Sequence, residues 1–189
     1  MVRLLVTKEE YFQAAMNILA TEGSGQIKVT TLCAALGVTS GSFYGYFGNL
    51  AGFINEFLQY WEESQTERIA AMASMETDNR VRIRLLKELA ADLPHAAEGA
   101  IRSWAHTNPD VAKMQQFVDD RRLEALSTLF KPALGSAKES REMARFGLTL
   151  LIGLQQSRQP VTRKEFNILF DRFEEILLSR ISARSSASR

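Results

Sequence analysis

The stretch VTTLCAALGVTSGSFYGYFGN, Val29–Asn49, decides how this chain reads. It begins as a short helix, breaks at Gly37-Val38-Thr39, and resumes as a second short helix to about Phe47. Glycine at 37 permits the left-handed backbone that a tight helix–helix turn needs. Val38, just past it, is placed to pin the two helices together. Cys33, four residues before Gly37, is small enough for a close crossing. Thr39 can cap the second helix. This is the layout of a helix-turn-helix, a pair whose second helix enters the major groove when it binds DNA. The same layout also describes a plain packed corner with aromatic residues in its core. Gly37–Asn49 carries no charged residue, which keeps that alternative open.

Helical signals extend on both sides. Thr7-Lys8-Glu9-Glu10 is a capping box, in which the hydroxyl and the carboxylate each take a free N–H. Tyr11, Ala14, Ala15, Ile18 and Leu19 follow at helical spacing, and Gly23 and Gly25 end the run. Asn49 can cap a long fourth helix through Phe53, Phe57, Tyr60 and Trp61 to about Ser74. A fifth spans about 79–92, and Pro94 suits the first turn of a sixth ending near Thr107. His95 reads as exposed there. Asn108-Pro109-Asp110 opens a seventh helix to about Lys131, before Pro132 and Gly135. Ser136–Glu139 and Thr162–Glu165 are two more capping boxes, opening an eighth helix to about Ser157 and a ninth to about Ile181. Nothing reads as a strand. The expectation is an all-α chain of about nine helices. A helix-turn-helix domain covers 1–50, with its motif at about 28–47. A larger ligand-binding and dimerisation domain covers 51–181, and a disordered tail covers 182–189.

The chain's 189 residues suffice for a real core, and 46% hydrophobic with 24% charged residues is an ordinary globular balance. No apolar run approaches a membrane span, and the start lacks the apolar stretch of a signal peptide. The single cysteine excludes an internal disulfide and fits a reducing compartment, so a cytoplasmic location is expected. Net charge is only +1. Within the first 50 residues Arg3, Lys8 and Lys28 are balanced by Glu9, Glu10 and Glu22. The case for DNA therefore rests on motif geometry and not on charge. Two isolated histidines and one cysteine offer no metal set, and no cofactor is implied. No nucleophile–base arrangement, phosphate loop or paired catalytic carboxylates stand out, so an enzyme is not expected. Asp119-Asp120-Arg121-Arg122 reads as an exposed charged turn.

EGSGQIKVTTLCAALGVTSGSFYGYFGN, residues 22–49, resembles the N-terminal signature of the TetR family of bacterial transcription regulators. The resemblance covers about residues 7–60. It is carried by Gly37-Val38, Thr39, Gly41, Ser42, Phe43, Tyr44, Tyr46-Phe47 and Asn49. IRSWAHTNPDVAKMQQFVDDRRLEALSTLF, residues 101–130, is similar to a helix pair common in one branch of that family. The resemblance implies a homodimer on a palindromic operator in double-stranded DNA, a small-molecule ligand of unknown identity, and no membrane partner. It implies a repressor that the ligand releases. By position it implies DNA contacts from Thr30, Ser40, Gly41, Ser42, Tyr44 and Tyr46, with Phe43 and Phe47 in the core. Thr39 and Asn49 offer helix-start N–H groups to phosphate. Lys28 and Arg3 could supply charge. Two lysines that many members carry after the aromatic pair are replaced here by Gly48-Asn49-Leu50. Gly52 stands where an acid would complete a capping box with Asn49. A small-molecule-binding or interaction protein with a degenerate head is therefore the competing reading.

For the larger domain, Trp61, Met72, Leu89, Trp104, His106, Met114, Phe117 and Phe146 are candidate pocket residues, though such a stripe also serves as core. Gly147, Leu150, Leu154, Phe166, Phe170, Phe173 and Leu177, on the last two helices, are candidate dimer contacts. The alternative is that those helices close the monomer's own core.

Overall fold

The structure, a computed structural model, describes residues 6–157 and 160–187. It is all helical among those residues: α1 (Lys8–Thr21), α2 (Val29–Leu36), α3 (Ser40–Phe47), α4 (Leu50–Glu62), α5 (Arg68–Ser74), α6 (Asn79–Ala91), α7 (His95–Ala105), α8 (Pro109–Leu134), α9 (Ala137–Ser157) and α10 (Arg163–Ala187). All nine expected helices are present. The fourth is divided into α4 and α5 by a π-helical turn, Glu63–Glu67.

Local chemistry sets the ends. Both bonds of the Thr7–Glu10 capping box form, as do both of Thr162–Glu165. Asn108 Oδ1 accepts from the N–H groups of Asp110 and Val111, and Asp78 Oδ1 does the same for Arg80 and Val81. Those two N–H bonds hold the Asp78 carboxyl below the usual carboxylate range. At Ser136 the hydroxyl caps Glu139 N–H, while the Glu139 carboxylate pairs with Arg180. Helix α8 runs past Lys131, and Pro132 sits inside its last turn. A proline there removes only one late hydrogen bond, so the helix continues until Gly135 ends it. Likewise α10 continues to Ala187, through most of the segment expected to be disordered. Ser182 there accepts from Arg80 at 2.9 Å.

The chain divides into two compact units, residues 1–62 with 94–115, and 63–93 with 116–189. The first unit is larger than the 50-residue head expected from sequence, because α4, α7 and the start of α8 belong to it. Its core is aromatic. Tyr11 and Phe12 of α1 meet Phe43 and Phe47 of α3 and Phe53 and Phe57 of α4, all buried. Trp61 is buried here too and donates Nε1–H to Glu98 of α7 at 3.2 Å. His95, expected at the surface, is buried.

The second unit packs α6 and α8 with α9 and α10 around Leu86, Phe130, Leu148, Phe170 and Phe173. Arg82 is buried among them and bonds the carbonyl oxygens of Glu76 and Leu129.

Candidate functional site

In the first unit, Gly37 adopts φ 65° and is the left-handed residue between α2 and α3. The Cys33 thiol donates to Thr39 O at 3.6 Å across the turn. Burial raises the thiol's pKa, so Cys33 is a neutral packing group and not a nucleophile. Tyr11, wholly buried, donates its hydroxyl to Ser42 Oγ at 3.2 Å. This ties α1 to the face of α3 opposite the solvent. The starts of α2 and α3 have no side-chain cap: neither the Lys28 nor the Thr39 side chain accepts an N–H of the first turn, although Thr39 O accepts Ser42 N–H at 3.1 Å. Thr39 therefore does not cap α3 as expected. Helix α4 differs, since Asn49 Oδ1 accepts Gly52 N–H at 2.8 Å. A Cβ at Gly52 would collide with Phe47 O. Glycine is thus required where sequence suggested a missing acid, and the start of α4 is firmly held.

Lys28, Thr30, Thr39, Ser40, Gly41, Tyr44 and Asn49 are all exposed, and Tyr44 is 51% exposed. Gly45 has open space around it. Ser42 and Tyr46 are half-buried, Ser42 on Tyr11 and Tyr46 against the rings of Tyr11 and Phe47. Arg3 lies outside the described residues. Most of the expected DNA-facing residues are thus exposed, and apart from Lys28 they are uncharged. Two of them also serve the core.

The second unit contains a cavity with about 840 Å³ of empty space including its mouth. Its wall is aliphatic and aromatic, from Ile69, Leu86, Leu126, Phe130, Leu151 and Phe173 among others. Gln65, Thr66, Lys87, Arg122 and Glu174 are the polar side chains that reach it. Lys87 Nζ lies 2.6 Å from Glu174 and 2.7 Å from Asp171, and Arg84 Nε lies 3.2 Å from Glu174. Burial pushes Lys87 towards neutrality, but its bonds to Asp171 and Glu174 outweigh this and hold its pKa above the ordinary lysine value. The lysine's part of this stabilisation is thus complete at neutral pH and is lost as pH rises through that elevated pKa. Arg122 Nε donates to Thr66 Oγ1 at 3.0 Å.

No family model and no curated protein matches the sequence. Solved structures do match in fold. A transcriptional regulator from Rhodococcus sp. Rha1 superposes with a TM-score of 0.76 at 15% identity, over 92% of this chain and 97% of that one. A TetR transcription regulator from Haloarcula marismortui gives 0.70 at 17% identity, over 93% and 96%. FadR from Bacillus subtilis, solved with stearoyl-CoA, gives 0.69 at 15% identity, over 92% and 99%. The fold is that of the TetR-family regulators.

Within this TetR-type fold none of the eight expected pocket residues lines that cavity. Trp61, Trp104, His106 and Met114 belong to the first unit. Met72, Phe117 and Phe146 are exposed, and Leu89 is half-buried. A Met-and-aromatic pattern fixes spacing along a helix but not which neighbour that side meets.

Most of the residues expected at a dimer contact pack inside one chain. Gly147, Leu154, Phe166, Phe170, Phe173 and Leu177 are buried within the chain's own second unit, and Leu150 is half-buried. Gly147, Phe170, Phe173 and Leu177 line the cavity.

Arg122 was missed because the run of four charges reads as solvated, yet it is buried. Its spacing from Val118, Ala125 and Leu129 places it on the inward face of α8, a signal the sequence does carry. Among the described residues no His, Cys, Asp and Glu group could hold a metal, and no helix is long and apolar enough to cross a membrane.

Proposed function

We propose that the chain is a dimeric, one-component transcription regulator: a repressor whose first unit binds an operator and whose second unit takes a small ligand that releases it. One observation carries this reading. Helices α2 and α3 meet at a left-handed Gly37 with uncapped N-termini and an exposed hydroxyl surface between them. Oriented N–H groups and hydroxyls are what phosphates accept from, and they need no lysine. The apolar cavity supports the ligand half, and a FadR of the same fold is solved with stearoyl-CoA.

Coupling is assigned to the π turn. Gln65 and Thr66 of that turn line the cavity. The turn follows directly on α4, whose Phe53 packs on Phe43 and Phe47 of α3. Ligand that prefers one geometry of the turn shifts the population of head positions. The dimer contact is assigned to the outward face of α9 and α10, where Phe146 and Gly153 of α9 and Leu169 of α10 are exposed and Leu150 and Ile176 half-buried.

Footprinting on the DNA upstream of the chain's own gene tests the reading, and a protected palindrome is the expected result. Absence of protection at low salt favours the competing reading, a ligand-binding protein without a specific operator. The uncharged surface of α3 is what keeps that reading in play.

Two further results are expected of the complex. Tyr44→Phe removes an exposed hydroxyl and nothing from the core, so it weakens operator binding by about fivefold per head, the worth of one hydrogen bond, and by about 25-fold for the dimer. Ser42→Ala is a poorer probe, because Ser42 also accepts from Tyr11. The salt dependence is shallow as well. A log–log slope steeper than about −7, equivalent to eight ion pairs per dimer, overturns the dipole-and-hydroxyl account.

A further inference from the structure

The hydroxyl of Ser42 is held from its inner side. Its oxygen accepts from the Tyr11 hydroxyl of α1 at 3.2 Å. Tyr11 is 0% exposed, and burial raises its pKa, so the phenol keeps its proton and stays a donor. The neighbouring Cys33 thiol donates to Thr39 O and does not compete for Ser42. Ser42 is half-buried at the edge of the face that α3 turns to the core, and Gly41, Tyr44 and Gly45 around it are exposed. Among the described residues its own proton has no acceptor.

A free serine hydroxyl offers one donor and two acceptor sites, and in the major groove it bonds a base acceptor as readily as a base donor. Ser42 has lost that balance. Tyr11 fills one acceptor site, and a hydroxyl that accepts is polarised into a better donor. We infer that Tyr11 is a positioning residue that sets the specificity of the head: it presents Ser42 to the operator as a donor, so that the facing base is read by an acceptor on its major-groove edge. This rests on the proposed operator binding. Guanine, adenine and thymine each carry such an acceptor, whereas cytosine presents only its amino donor. A base and not a phosphate is reached because α3 comes close there. Gly41 and Gly45 stand one turn apart beside Ser42. A Cβ has open space at Gly45, and at Gly41 it would rest 3.7 Å from Thr39 Oγ1. The fold therefore requires glycine at neither position, and both glycines weaken a helix of eight residues. Bare backbone at 41 and 45 lets a short serine side chain span the distance to a base edge.

The test uses the full-length protein and a double-stranded DNA pool with a randomised core, from which the bound fraction is sequenced. The proteins compared are the unaltered chain, Tyr11→Phe, Ser42→Ala and the double variant, each shown to be folded by its urea midpoint. The unaltered protein is expected to select a palindrome with one position per half-site at which cytosine is disfavoured about fivefold, the worth of one hydrogen bond. Tyr11→Phe is expected to bring cytosine there towards parity and to leave the other positions as they were. Ser42→Ala is expected to flatten the same position, and adding Tyr11→Phe to it to change nothing further. That last result separates positioning from structural support, because a purely structural Tyr11 would weaken every sequence alike, with or without Ser42. Gly45→Ala is expected to raise the urea midpoint and yet weaken binding several-fold. A Tyr11→Phe profile identical to that of the unaltered chain overturns the inference. So does a Ser42→Ala that weakens all sequences equally, the mark of a hydroxyl on phosphate, or a Gly45→Ala that binds as well as the unaltered chain. In each of these cases the palindrome is still selected and operator binding stands. A pool from which the unaltered protein selects no sequence removes operator binding itself, and this inference with it.

Discussion

Phe43→Ala is expected to cost the first unit about 3–5 kcal/mol, as complete truncation of a buried phenylalanine does. Phe43 is 0% exposed and sits at the centre of the aromatic core. Its ring centroid lies 5.7 Å from Tyr11, 5.1 Å from Phe47 and 5.5 Å from Phe53, so three helices lose their common neighbour at once. Helix α3 has eight residues, too short to persist without that packing. With domain stabilities of about 5–15 kcal/mol, the loss is about a fifth or more of what holds such a unit folded. Both tryptophans, Trp61 and Trp104, lie in this unit, so urea unfolding followed by tryptophan fluorescence reports on it directly. The midpoint should fall without a change in slope. Operator binding should vanish at concentrations where Tyr44→Phe still binds. A loss below about 1 kcal/mol would mean that the aromatic cluster is not what positions α3.

The contrast between Phe43 and Phe173 shows what the sequence makes legible. Around Phe43 the deciding signals are local: a glycine at 37, an amide cap at Asn49, and aromatics at 43 and 47 that can share one helix face. Caps at Thr7, Asn108 and Thr162 are equally local, because each donor and acceptor lies within three residues. Helix ends and the turn of the motif therefore follow from the sequence. Around Phe173 the deciding question is which side of a broad apolar stripe faces inward, and that depends on elements far away in the chain. Helix α10 reads as one continuous stripe. Its Phe166, Phe170, Phe173 and Leu177 turn inward, while Ile168 and Leu169 remain exposed. The cavity fails to show in the sequence for the same reason. Its wall draws on five helices and the π turn, and neither that turn nor the pairing of Lys87 with Glu174 has a local signature. Gly52 shows a subtler limit. Read as a missing acid, it is required because Phe47 O occupies the space a side chain would take.

Gly147→Val separates the two roles open to the last helices. In the structure a Cβ at 147 would stand 2.8 Å from two ring carbons of Phe173, closer than packed atoms approach. The ring has little room to retreat. It is buried against Phe130 at 6.3 Å and Phe170 at 6.1 Å, and Phe146 closes its edge at 5.6 Å. Overpacking of this kind costs about 1–3 kcal/mol, and the better helix propensity of valine offsets only about 0.5 kcal/mol of it. The loss is intrinsic to the monomer, so the shift in Tm should be the same at two protein concentrations a hundredfold apart. An apolar fluorophore such as N-phenyl-1-naphthylamine should also bind more weakly, because Phe173 and Gly147 both line the cavity. Had Gly147 been a contact between two copies, the penalty would fall on association. It would then appear as a Tm shift that depends on concentration, with fluorophore binding unchanged. That second pattern would return Gly147 to the interface and take Phe173 out of the core.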